Sequence, residues 1–154
     1  MRTIRRLFGS EGDMSGETNL AAGAEHAPII LLVEDEVLIR LSSAEFLREE
    51  GYTVLEASDA VEALVLFASD HPLDLVITDV RMPGELDGVK LTQIIKEAKP
   101  DLPVALASAH LALDVDHPGD RFLRKPYTPE QLLQVVDELI GTQWQTRQSS
   151  SKAS

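Results

Sequence analysis

Side chains able to do chemistry recur at one kind of place in this chain, directly after a segment that reads as a strand. Glu34, Asp35 and Glu36 follow Ile29–Val33, Asp79 follows residues 75–78, Ser108 follows residues 104–107, and Lys125 follows Arg121–Arg124. Carboxylates gathered at one edge repel each other, and their pKa values rise unless a cation neutralises them. With oxygen donors and neither His nor Cys in the set, the cluster favours a hard divalent ion. Mg2+ uses few carboxylates and keeps several waters. An ion held in this way can take phosphoryl oxygens, while Lys125 and Ser108 supply the other donors that a transferred phosphoryl group needs. An aspartate at a strand tip is a suitable nucleophile, since a carboxylate can form an acyl phosphate. The chemistry implied is phosphoryl transfer onto the protein itself.

Taken singly, each residue has a plainer role. Acids at a helix start serve as caps and suit the helix dipole. Asp79 could form a turn, Ser108 is unremarkable, and Lys125 could be surface charge. Their coincidence at the ends of four different strands carries the functional reading.

The elements that must position them alternate along the chain. The run IILLV at Ile29–Val33 suits a strand buried on both faces of a parallel sheet. Asp35 is the expected cap of a helix over residues 36–50, with Leu38, Leu41, Ala44 and Leu47 inward and Gly51 as its stop. Thr53–Ala57 is a second strand with Val54 and Leu55 inside. Ser58 or Asp59 then caps a helix in which Ala60, Leu64 and Phe67 recur at helical spacing. Residues 75–78 form a third strand, and a Pro/Gly-rich turn leads to a helix over Gly88–Ala98. Leu91, Ile94, Ile95 and Ala98 share a stripe there, and Lys99-Pro100 ends it.

Residues 104–107 and Arg121–Arg124 are the fourth and fifth strands. A last helix over residues 129–140 carries Leu132, Leu133, Val136, Leu139 and Ile140 on one face, with Pro129 near its first turn. Strands alternating with helices predict an α/β fold with a parallel sheet covered on both faces. In such sheets ligands bind beyond the carboxyl ends of the strands, where these residues fall. The fourth crossover, AHLALDVDHPGD at residues 109–120, cannot hold a full helix and is expected to be short, acidic and irregular.

A length of 154 residues predicts one domain. The absence of cysteine excludes a disulfide framework, a thiolate metal site and a thiol nucleophile. The net charge is −12, and residues 28–140 alone carry 9 basic and 22 acidic residues. That acidity argues against binding nucleic acid through phosphate contacts. No apolar run reaches a secretory signal or the roughly 18 residues of a membrane span, so a cytoplasmic protein is expected. Residues 1–27 read as a flexible tail and residues 142–154 as a disordered one, with Trp144 packing back locally.

Glu34-Asp35 after the first strand, Asp79-x-x-Met82-Pro83 after the third, Ser108-Ala109 after the fourth and Lys125-Pro126-Tyr127 after the fifth form an ordered set. In this set the chain resembles the response-regulator receiver domain of two-component signalling, from about residue 29 to residue 140. The resemblance implies a flavodoxin-like (βα)5 fold, a doubly wound five-stranded parallel sheet of order 2-1-3-4-5. Here its fourth helix is shortened or irregular, and the receiver spans residues 28–141. It further implies that Mg2+ is held by Glu34, Asp35, Asp79 and the backbone carbonyl of Arg81. Asp79 is then the phosphoacceptor, Ser108 the switch hydroxyl, Lys125 the partner of a phosphoryl oxygen and Phe122 the aromatic switch. Pro126 follows a cis peptide bond.

The implied partners are a sensor histidine kinase or histidine phosphotransfer protein, whose phosphohistidine Asp79 attacks, and a downstream protein, with neither nucleic acid nor membrane. The chain would be a signalling module rather than an enzyme, catalysing only its own phosphorylation and dephosphorylation. Met82-Pro83 and Asp87-Gly88 match the family's loop after the acceptor, here one residue longer than the commonest pattern. By the same resemblance, Arg81 and His110 would occupy the two positions flanking the acceptor that tune access of the hydrolytic water. The curtailed fourth helix argues against a standard dimer through that face. Only 14 residues follow Ile140, so a stand-alone receiver with no DNA-binding output is expected.

Rival readings meet specific obstacles. An aspartate-nucleophile phosphatase of the haloacid dehalogenase type needs a second acid two residues on, where Arg81 stands. A flavodoxin-like phosphate binder needs hydroxyls and free amides after the first strand, where Glu34-Asp35-Glu36 has the wrong charge. A receiver that takes no phosphate and only binds a partner is the remaining alternative.

Overall fold

The computed structural model describes residues 27–110 and 117–141. The elements run β1 (Ile29–Val33), α1 (Val37–Glu49), β2 (Thr53–Ala57), α2 (Ala60–Ala68), β3 (Leu75–Asp79), α3 (Gly88–Ala98), β4 (Val104–Ser108), β5 (Arg121–Arg124) and α4 (Pro129–Val136). A π-helical turn, Asp137–Gly141, continues α4. The five strands form one parallel sheet in the order β2-β1-β3-β4-β5. This is the flavodoxin-like arrangement expected from the alternation and the resemblance.

The unbroken apolar runs reflect burial on both sheet faces. Successive side chains of a strand point to opposite faces. Ile30 and Leu32 of β1 therefore join Ile77 and Ala105 in a core closed by Ala44 and Leu47 of α1 and Leu132, Val135 and Val136 of α4. Leu31 and Val33 join Val76 and Val104 on the other face, closed by Ala60 and Ala63 of α2 and Leu91 and Ile95 of α3. Three helices start with side-chain caps. Asp59 accepts from the amide of Glu62, Asp87 from that of Lys90, and Thr128 forms a capping box with Gln131.

Several local expectations are corrected. The N-cap of α1 is Glu36, with no side-chain cap, because the Asp35 carboxylate sits among other acids instead of turning to the helix amides. Leu38 and Leu41 point outward, 81% and 49% exposed, and the small Ser43 joins Ala44 and Leu47 against the sheet. Ile94 and Ala98 are exposed, and Thr92 takes the buried position by donating its hydroxyl to the Gly88 carbonyl at 2.7 Å. Leu55, Leu64 and Phe67 are only half-buried, as are Leu133 and Leu139. The last helix leaves α geometry at Val136, and the π turn brings Ile140 into the core.

The crossover expected to be irregular lies partly outside the described residues, at 111–116. So do residues 1–26 and 142–154, Trp144 included. After the crossover Asp120 is firmly tied. Its amide donates to Val104 O and its carboxylate accepts from Val104 N, both at 2.8 Å, and Lys96 Nζ pairs with it at 2.5 Å. Among the described residues, no helix is long and apolar enough to cross a membrane.

Candidate functional site

Strand register assembles the site. Val33 pairs with Thr78, so the next residues, Glu34 and Asp79, leave β1 and end β3 side by side. Asp79 pairs with Ala107, which sets Ser108 one residue further on β4. Ser108 pairs with Arg124, and the amide of Lys125 then donates to Ser108 O at 2.9 Å. The Lys125-Pro126 peptide is cis.

Lys125 Nζ reaches across three strands to donate to Glu34 Oε2 at 2.5 Å and Asp79 Oδ2 at 3.1 Å. One carboxylate oxygen from each of Glu34, Asp35 and Asp79 lies within 4.8 Å of the others. Glu34 and Asp79 are buried, and Asp35 is exposed. Three carboxylates against one ammonium leave two formal negative charges in an all-oxygen donor set. That set fits a hard divalent cation such as Mg2+.

The surroundings tune these groups. Burial pushes the Glu34 carboxyl above the usual carboxylate range, against the Lys125 hydrogen bond and the Glu36 amide, and the Asp79 charge adds to the rise. Burial likewise raises Asp79, opposed by Lys125 and the Arg81 amide and reinforced by Asp35. Burial works against the Lys125 charge, but its hydrogen bonds to Glu34 and Asp79 prevail and lift its pKa. Without a divalent cation, Glu34 and Asp79 therefore bind protons more tightly folded than unfolded. Their stabilising effect is fully present below the unfolded pKa and is lost as pH rises through the raised folded value. Urea unfolding of cation-free protein between about pH 7 and about pH 5 should show stability rising as pH falls, and Mg2+ should flatten the slope. A slope unchanged by Glu34→Gln would show that this pair is not its source.

The remaining expected residues fall at different distances from the centre. Ser108 is buried, and its Oγ accepts from the His110 amide at 3.1 Å. Arg81 is exposed and meets Asp79 through its backbone amide. Phe122 lies outside the cluster, half-buried opposite Leu106, with its ring 6.0 Å from that of His117.

Two contributors were not anticipated from sequence in the form they take. Gly88, the first residue of α3, lies so close to the end of β3 that a Cβ on it would come 1.9 Å from Asp79 O. Arg40 of α1 donates from Nη1 to the backbone carbonyl of Glu34 at 2.8 Å. The Asp87-Gly88 dipeptide was a signal for the first. A lone arginine within a helix carried none for the second.

Comparison with known proteins identifies the family and the fold. A family model described as the response regulator receiver domain matches residues 30–137. The response regulator MprA of Mycobacterium ulcerans (strain Agy99) is 38% identical over 116 residues, covering 72% of this chain and 49% of that protein. The sensor kinase CckA of Brucella abortus (strain 2308) is 36% identical over 120 residues, covering 74% of this chain and 13% of the kinase. The chain thus spans about half the length of the first relative and a small part of the second. Among solved structures, a response regulator receiver protein from Sinorhizobium medicae WSM419 superposes with a TM-score of 0.69 at 31% identity, covering 75% of this chain and 95% of that one. The response regulator TrrA from Thermotoga maritima, solved in complex with Mg2+-BeF, gives a TM-score of 0.66 at 33% identity, covering 73% and 98%.

Proposed function

This chain belongs to the response regulator receiver domain family, and we propose on that premise that Asp79 accepts a phosphoryl group from the phosphohistidine of a partner kinase or histidine phosphotransfer protein. The observation that carries the reading is the Lys125 ammonium on both Glu34 and Asp79, with the Asp35 carboxylate in the same oxygen cluster. An Asp79 carboxylate oxygen attacks phosphorus. The P–N bond to the partner's imidazole breaks, its electron pair stays on nitrogen, and an aspartyl phosphate forms.

Lys125 holds Oδ2 of Asp79 and keeps an ammonium beside the incoming phosphoryl oxygens. Ser108, on the adjacent strand, would exchange its bond to the His110 amide for one to the transferred group. Glu34, Asp35, Asp79 and the Arg81 carbonyl are the residues that would hold Mg2+, which supplies positive charge to the phosphoryl oxygens when bound. A shift of Ser108 would bias the β4–β5 surface carrying Phe122 and His117, and the signal would pass on by protein contact or phosphorelay.

Incubation with acetyl phosphate and Mg2+, read by intact mass, tests the reading. One phosphoryl group should add to the chain and fail to add to Asp79→Asn. No adduct with either this donor or a phosphohistidine protein would overturn it and leave a binding module of the same fold.

A further inference from the structure

Glu34 depends on a residue that touches no carboxylate of the cluster. Its amide donates to Ala57 O of β2 at 3.0 Å, and its carbonyl accepts from Arg40 Nη1 at 2.8 Å. Arg40 also pairs through Nε with Glu56 Oε1 of β2 at 3.3 Å, and its side chain is only 16% exposed. Glu56 is steadied in turn, because Arg48 Nη2 binds its other oxygen at 3.0 Å while donating to Val54 O at 2.8 Å. In the turn between β1 and α1 the Glu36 side chain makes no cap, and the Glu36 amide instead donates to Glu34 Oε1 at 3.1 Å.

We propose that Arg40 is a positioning residue that clamps the Glu34 peptide to β2 and so holds the Glu34 and Asp35 carboxylates in place beside Asp79. The inference rests on reading that pocket as a cation and phosphoryl site. A planar guanidinium can serve a carbonyl and a carboxylate at once in fixed directions. An ammonium carries its three donors on one nitrogen and cannot reproduce the separate directions in which Nη1 meets the carbonyl and Nε meets the carboxylate. Removing the side chain leaves the Glu34 carbonyl without its partner and frees the turn that bears the acids. Arg40 touches neither phosphoryl group nor nucleophile, so its loss should weaken cation binding and leave the chemical step largely intact once the pocket is filled.

The full unphosphorylated chain is titrated with Mn2+ alone, followed by electron paramagnetic resonance, alongside thermal unfolding and acetyl phosphate rates at saturating Mg2+. Arg40→Gln is expected to weaken Mn2+ binding about tenfold, the low end for residues that orient metal ligands. Its saturated phosphorylation rate should stay within about twofold of wild type. Arg40→Lys should recover less than half of the lost affinity, and Glu56→Gln should weaken binding in the same direction by a smaller factor.

Unchanged Mn2+ affinity in folded Arg40→Gln, whatever its melting temperature, overturns the proposal. So does full recovery in Arg40→Lys, which would make charge the cause. Should Arg40→Gln not fold, Arg40→Lys and Glu56→Gln decide, and wild-type affinity in either overturns it. A wild-type chain that binds Mn2+ but takes no phosphoryl group removes the proposed function and leaves the clamp standing. A wild-type chain that binds no Mn2+ removes both.

Discussion

Lys125→Met should lower the rate of Asp79 phosphorylation by about two to three orders of magnitude, the usual cost of deleting one fixed donor from the charge-bearing side of a transition state. The same change should reveal how strained the acids are without their ammonium. Lys125 is the cation shared by Glu34 and Asp79, and all three side chains are largely buried. Removing one partner of a buried pair costs about 3–5 kcal/mol. Protonation of one acid can limit that cost, so a loss of about 3 kcal/mol is expected at neutral pH, measured by urea unfolding.

The sign of the pH response separates this cause from lost packing. Both carboxyls already titrate above their usual range, and without Lys125 they should rise further. Stability should therefore return on acidification through those values and also on adding Mg2+. A deficit equally deep at about pH 5 and about pH 7 would mean that the aliphatic stem of Lys125, not its charge, was missing.

Gly88→Ala is the second large effect, and its cause is space. The added Cβ would meet Asp79 O at 1.9 Å and the neighbouring main chain of Asp79 and Val80 at under 3 Å. Main-chain atoms cannot swing aside as a side-chain tip can. The amide of Gly88 also donates to Val80 O at 2.8 Å, so α3 is hydrogen-bonded to the segment it would strike. Either α3 retreats or the end of β3 bends. Overpacking of this kind costs about 1–3 kcal/mol, and contact with backbone puts this case at the upper end. A displacement of the reacting carboxylate by about 1 Å can cost about a hundredfold in rate. Intact-mass kinetics with acetyl phosphate should show that loss, with urea unfolding reporting the destabilisation. A phosphorylation rate within about twofold of wild type would show that α3 yields instead of β3.

The site's acids and hydroxyl were legible because they follow or end strands whose two-sided burial leaves an apolar run, whereas Lys125 follows the mostly exposed edge strand β5 and was legible from its place in the alternation. The carboxyl ends of parallel strands necessarily share one edge. Helix orientation was less legible. Leu38 and Leu41 look inward by residue type, yet α1 packs through Ser43 beside the expected Ala44 and Leu47, and a serine does not signal a buried face. The α1 cap was misassigned for a related reason, since an acid before a helix reads as a cap and Asp35 instead joins Glu34 and Asp79. Arg40 gave no warning because nothing in its local spacing says that its guanidinium turns back to a carbonyl six residues earlier. The π turn after Val136 interrupts a pattern that continues smoothly in sequence, where Leu139 and Ile140 keep the helical period.

The order of the strands also fixes a timetable. Glu34 and Asp79 lie 91 and 46 residues ahead of the lysine that balances them. A chain emerging from the ribosome presents its acids well before their counter-charge exists. Early segments can collapse around β1 and β3, but the pocket stays electrostatically open until β5 has been made and zipped onto β4. The pocket's charge balance is thus completed only when β5 joins the sheet, after the acids at the ends of β1 and β3 have been made.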